Sequence, residues 1–187
     1  NLDILKKYGY VDVHEKNKFA RSIIKKNKKV KNVYWNLKLK RNFYDIILLA
    51  DVIEHVKKPK ILINNLKKFL KKDGQIIITV PAYQFLFSKK DKVLGHYRRY
   101  NKSRLKAELS KFKIEEISYF NTFLSLPIII ITLLNKLFKR DYIKKVETTP
   151  NFILNNILYL IFKTEKNCLK YLNFPFGISI YAVARNV

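Results

Sequence analysis

The 187 residues contain no methionine, one cysteine (Cys168), four glycines and five prolines. A single cysteine excludes an internal disulfide and a cysteine-based zinc cluster, and makes a reducing compartment the default. Without methionine the chain has no start residue, so it reads as beginning inside a longer gene product. Gly9, Gly74, Gly95 and Gly177 stand far apart, so no glycine-rich loop lies within the chain. An apolar leader is missing too. Asp3, Lys6 and Lys7 interrupt residues 1–10, which excludes a signal peptide there. Acidic residues are scarce, 14 against 39 lysines and arginines, for a formal charge of +25.

Such a charge suits a nucleic acid or an anionic membrane as partner. The lysines, however, are spread along the whole chain. They rise together with asparagine and isoleucine, as a genome-wide bias would make them do. This argues against a dedicated nucleic-acid surface. Apolar residues make up 48% of the chain, which excludes a disordered protein. The length suits a single domain.

Short apolar runs alternate with amphipathic stretches, the pattern of an α/β sheet. Strands are expected at 10–13, 33–37, 44–50, 75–80, 113–120 and 178–184. The run at 44–50 is nearly all apolar, as in a central strand buried on both faces. Helices are expected at 1–8, at 16–26 with Phe19, Ala20, Ile23 and Ile24 on one face, and at 59–72. Pro59 fits the first turn of the 59–72 helix, and Gly74 is its expected left-handed stop. Asn101 reads as the N-cap of a helix to 111. Two uncharged apolar segments, 123–134 and 151–162, fall in an apolar helical insertion at about 121–172. Among the described motifs, His14, His55 and His96 lie on different elements without metal-ligand spacing, and no metal site is read.

The most informative stretch is Asp51-Val52-Ile53-Glu54-His55-Val56, directly after the 44–50 strand. An amphipathic helix, Lys71-Lys72-Asp73-Gly74 and the run from Gln75 to Pro81 follow. Later come Asp91-Lys92-Val93-Leu94-Gly95-His96-Tyr97-Arg98-Arg99-Tyr100 and the end of the chain from Phe174-Pro175-Phe176-Gly177 to Ala184. In this order the motifs resemble the class I S-adenosylmethionine (SAM)-dependent methyltransferases, over essentially the whole chain. The last two resemble a narrower bacterial group within them.

The resemblance implies a three-layer α/β sandwich around a mostly parallel, Rossmann-like sheet with an antiparallel last strand. It also implies that the first strand and its glycine-rich loop are missing from this chain. The cofactor implied is SAM. By position, Asp12 would accept the ribose hydroxyls, Asn36 and Leu37 would meet the adenine, and Ala50 and Asp51 would lie along the methionine part. Ligands in open α/β sheets sit beyond the carboxyl ends of the strands, and Asp12 and Ala50 lie at such ends. His55 is the candidate general base, or else a structural hydrogen-bonding group at its turn. Tyr83, His96, Tyr97, Arg98 and Arg99 occupy the stretch where such enzymes build acceptor loops. Arg98 and Arg99 read equally well as salt-bridged anchors of that loop.

The expected reaction is methyl transfer to a small-molecule, quinone-like or lipid- or glycan-linked cell-surface acceptor, in the cytoplasm or at the inner face of the membrane. Two rivals stand beside it: a basic RNA-binding methyltransferase, and a non-catalytic remnant that acts as a binding protein. Residues 117–135 are uncharged, but Asn121, Thr122, Ser125 and Pro127 interrupt them, so a membrane span is rejected. The expected structure there is a buried helix over the sheet. The alternative is an interfacial helix, paired with 152–162 and flanked by Lys136, Lys139, Lys144 and Lys145, on an anionic bilayer.

Overall fold

The computed structural model describes residues 2–26, 30–36, 39–138 and 151–187. Leu37, Lys139, Lys144 and Lys145, singled out above, lie outside the described residues. The chain falls into two compact units, 1–41 and 42–187.

In the first unit, α1 (Leu2–Leu5) leads to β1 (Val11–His14), α2 (Lys18–Lys25) and β2 (Val30–Tyr34). The two strands pair in parallel, with Asp12 opposite Asn32 and His14 opposite Tyr34. β2 therefore starts three residues before its expected position, because β1 sets which residues it can pair with. The Asn17 side chain caps α2 by accepting from the Ala20 N–H at 3.1 Å. Of the expected apolar face of α2, Ala20 and Ile24 are half-buried while Phe19 and Ile23 stay exposed. No described side chain of this unit is fully buried.

The second unit holds a four-stranded sheet in the order β3 (Tyr44–Ala50), β4 (Leu70–Pro81), β6 (Ser179–Arg185), β5 (Lys113–Phe120). β3 and β4 are parallel, and β6 runs antiparallel to both of its neighbours. The α/β class and the antiparallel last strand are thus as expected. β3 is an edge strand of this sheet, so Ile46 and Leu48 are exposed and only Leu49 is buried. The expectation of a strand covered on both faces fails there.

Helix α3 (Pro59–Lys67) is also shorter than expected. The residues after it join β4, because the far end of the chain recruits them: Asp73 N–H donates to the Asn186 carbonyl at 3.0 Å and Asn186 N–H to that of Gly74 at 2.8 Å. The left-handed residue is Asp73, at φ 62°, and not Gly74. Glycine is needed at 74 for another reason. A Cβ there would lie 3.1 Å from the Tyr44 carbonyl oxygen and 3.2 Å from that of Asp45, too close to β3.

The core forms where β4 and β6 face α3 and α5 (Lys102–Glu108). Ile76, Ile78 and Val80 alternate inward along β4, and meet Ile180, Ala182 and Ala184 of β6, with Ile63, Leu66 and Leu105 also in the cluster. Each large side chain buried this way contributes about 1.5–3 kcal/mol. Asn101 caps α5 as expected, accepting from the Arg104 N–H at 2.8 Å.

Between β4 and α5 lies α4 (Lys89–Val93), and after β5 come α6 (Ser125–Leu137) and α7 (Phe152–Cys168). The expected buried helix is not what α6 forms, since its one buried residue is Ser125. Apolar residues occur in runs around α6, and no single contact face could cover Leu126, Ile128, Ile130, Ile131 and Leu134, all exposed. In α7 only Glu165 is buried. Its carboxylate accepts from the backbone N–H groups of Asn121, Thr122 (2.9 Å) and Phe123 (3.1 Å), tying α7 to the turn before α6. No helix among the described residues is long and apolar enough to cross a membrane.

Candidate active site

β3 delivers Ala50, a short and exposed residue, to its carboxyl end. Asp51 follows in a left-handed conformation, φ 51°, which a non-glycine residue adopts only when held. Thr79 of β4 holds it. Asp51 N–H donates to the Thr79 carbonyl at 3.1 Å and to Oγ1 at 3.2 Å, and Thr79 Oγ1 donates back to Asp51 Oδ1 at 3.2 Å.

The chain then makes a single 3-10 turn, Ile53–His55, that buries Ile53 and Glu54 completely and leaves His55 exposed. Burial pushes the Glu54 carboxyl up to about 7, against a lowering pull from its own backbone N–H, and the Asp51 charge adds to the rise. Neither of its oxygens has a well-formed hydrogen-bond partner.

The segment after α4 lies on this turn. Tyr97 N–H donates to the Glu54 carbonyl at 2.8 Å, and the Tyr100 hydroxyl reaches the Ile53 carbonyl at 3.4 Å. His96 thereby meets His55 edge to face, ring centroids 4.6 Å apart at 83°. Gly95 takes φ 77° at the approach, and a Cβ there would lie 3.8 Å from His55 Nδ1. His55 and His96, on separate elements in the sequence, are neighbours in the fold.

Behind His96 sits Asp91, which is buried. His96 Nδ1 lies 3.0 Å from Asp91 Oδ1, Arg99 donates from Nε at 2.8 Å and Nη2 at 3.1 Å, and Ser88 donates from N at 2.9 Å and Oγ at 3.0 Å. Burial alone would push the Asp91 carboxyl up. The bonds from Arg99, Ser88 and His96 outweigh it and hold the group at about 2. An ionised Asp91 only accepts, so it sets the hydrogen of neutral His96 on Nδ1 and the lone pair on Nε2.

The remaining expected residues are distributed as follows. The Arg99 guanidinium is turned inward, onto Asp91 and the Ala82 carbonyl (3.3 Å). Arg98 donates to the Lys57 carbonyl at 3.0 Å, and exposed Tyr97 lies beside Arg98 and Lys57. Tyr83 stacks on Tyr119 with centroids 5.3 Å apart, and burial raises its hydroxyl pKa. In the first unit, Asp12 is half-buried and accepts from Asn32 Nδ2 at 2.9 Å, and Asn36 is half-buried beyond β2. Asp91 opens the 91–100 motif, but the sequence reading gave it no role. Its signal was the Ser88-x-x-Asp91 spacing of a helix-capping box.

A family model described as a methyltransferase domain matches residues 5–122. No curated protein sequence matches the chain. Among solved structures, a Bacillus halodurans C-125 protein assigned as a methyltransferase superposes with a TM-score of 0.57 at 18% identity, over 95% of this chain and 83% of that one. A SAM-dependent methyltransferase of Archaeoglobus fulgidus gives 0.54 at 13% identity, over 99% and 94%. Phosphoethanolamine N-methyltransferase 2 of Haemonchus contortus, in complex with S-adenosyl-L-methionine, gives 0.50 at 18% identity, over 94% and 43%. At these identities the likenesses establish the fold.

Proposed function

The chain belongs to the methyltransferase domain family and is a SAM-dependent enzyme, and on that premise we propose that its acceptor is apolar and membrane-borne, quinone-like or linked to a lipid or glycan. The observation that carries the acceptor class is the outward-facing apolar surface of α6 and α7. Leu126, Ile130, Ile131 and Leu137 of α6, and Phe152, Ile153, Tyr159 and Leu160 of α7, are all more than half exposed. Water is a poor partner for such a surface, and a bilayer interface is a good one. The +25 charge supplies attraction to anionic lipid, at about 1 kcal/mol for each lysine held near the surface.

Bound SAM supplies a sulfonium methyl group that is already electrophilic. In the second unit, Ala50 leaves the backbone at the end of β3 accessible and Thr79 holds Asp51 beside it, which suits the methionine part of SAM. In the first unit, Asp12 is assigned to the ribose hydroxyls. Asn36 and Leu37 are assigned to the adenine. The chain's own task is then to orient the acceptor and take its proton. His55 fills the second role, since it is solvent-accessible and an imidazole nitrogen can accept a proton from a bound acceptor. Tyr97 and Arg98 line the acceptor side, while Arg99 and Asp91 anchor the loop that carries them.

Co-sedimentation with lipid vesicles tests the acceptor class. The full-length protein is expected to pellet with anionic vesicles at low salt, less at high salt, and weakly with neutral vesicles. Protein that stays in the supernatant with anionic vesicles at low salt would overturn the membrane reading.

A further inference from the structure

Glu54, His55 and His96 each offer a ligand-type atom, and these atoms lie within 4.8 Å of one another. Glu54 is fully buried with no well-formed partner on either oxygen. A carboxylate in that position is costly unless a positive charge compensates it. No lysine or arginine among the described residues forms an ion pair with it. What faces it is a pair of imidazoles.

The orientation of one imidazole is fixed. His96 Nδ1 lies 3.0 Å from Asp91, which is itself secured by Arg99 and Ser88, so in the neutral ring the lone pair is on Nε2. A carboxylate behind a histidine in this way sets the tautomer and raises the basicity of a metal ligand. His55 is exposed, so the cluster is open on its side.

We propose that Glu54, His55 and His96 together bind one divalent first-row transition-metal ion. Two imidazole nitrogens and one carboxylate oxygen suit ions such as Zn²⁺ or Co²⁺, whereas Mg²⁺ and Ca²⁺ favour all-oxygen sets. Three protein ligands leave a position for an outside oxygen. Resting on the methyl-transfer reading, that oxygen is the acceptor's hydroxyl: the ion acidifies it so that its proton leaves to water, and His55 takes the proton itself only where the ion is absent. Binding of the ion itself does not depend on that reading.

The test uses full-length protein stripped with a chelator and dialysed against Zn²⁺ or Co²⁺. Bound metal is counted by mass spectrometry, and Co²⁺ is also read from its visible absorption. The expected result is a single ion per chain. Glu54→Gln and His96→Ala should weaken it at least about 10-fold, and Asp91→Asn about 10–100-fold. His14→Ala, exposed at the end of β1, should leave it unchanged. Glu54→Gln keeps the side chain's shape and removes a buried charge, so it retains the fold and decides the outcome. Metal bound equally by wild type and Glu54→Gln, or by neither, would overturn the proposal. SAM affinity on the same preparations reads the methyl-transfer assignment separately, so either can fail while the other stands.

Discussion

In β4, Ile76, Ile78 and Val80 are fully buried, whereas in α6 the one buried residue is Ser125. Both elements are rich in isoleucine and leucine. The strand has β3 and β6 on its two edges and helices over its face, so alternate residues must pack. α6 and α7 are instead held through polar contacts: Glu165 on the turn at 121–123, and Lys136 Nζ on the Phe85 carbonyl at 2.5 Å. Apolar content therefore does not by itself make a core. What matters is whether neighbouring elements supply a surface, and the apolar side chains of these helices stay exposed among the described residues.

The largest expected effect is in the sheet. Ile78→Ala should cost about 2–5 kcal/mol by chemical denaturation, since it empties a fully packed position. A much smaller loss would mean that β4 is not the centre of the core. Glu165→Ala should cost about 3 kcal/mol, because three backbone N–H groups lose a charged acceptor, one of them buried. Unchanged stability would show that α7 is held by its apolar residues after all, and the contrast would collapse.

Asp91 gives a smaller, pH-dependent effect. Its folded carboxyl sits at about 2 against an ordinary 3.8. It therefore stabilises the fold fully above about pH 4, and this contribution, about 2 kcal/mol, is lost as the pH falls towards 2. Stability curves of wild type and Asp91→Asn should converge in acid, and parallel curves would contradict the network at the loop. Smallest for folding is Ile131→Ser in α6, expected to shift stability by less than about 0.5 kcal/mol. The same change should reduce pelleting with anionic vesicles. A large loss of stability would instead mark Ile131 as core.

Strands β3 and β5 were legible to the residue, because a bounded apolar run and a clean alternation leave few other registers. The end of α3 was not. The bonds that draw Asp73 and Gly74 into β4 come from Asn186, more than a hundred positions away, and local propensity carries no trace of them. The site divides in the same way. Ala50, Asp51 and His55 follow one strand and could be read in order. The meeting of His55 with His96 depends on Tyr97 and Tyr100 bonding to the backbone of Glu54 and Ile53, which only the fold arranges. Arg99 offered two readings in the sequence, and its orientation is set by Asp91, which opens the same motif but was given no role there.

The most direct measurement is methyl transfer itself. Full-length protein is incubated with methyl-labelled SAM and a cell extract, which is then separated into lipid, water-soluble small-molecule, RNA and protein fractions. Label is expected in the lipid fraction, and His55→Ala should slow its appearance by about 10²–10⁴-fold while SAM affinity holds. Label that collects in RNA, or that reaches lipid as fast with His55→Ala as with wild type, would contradict the acceptor class or the proton acceptor respectively.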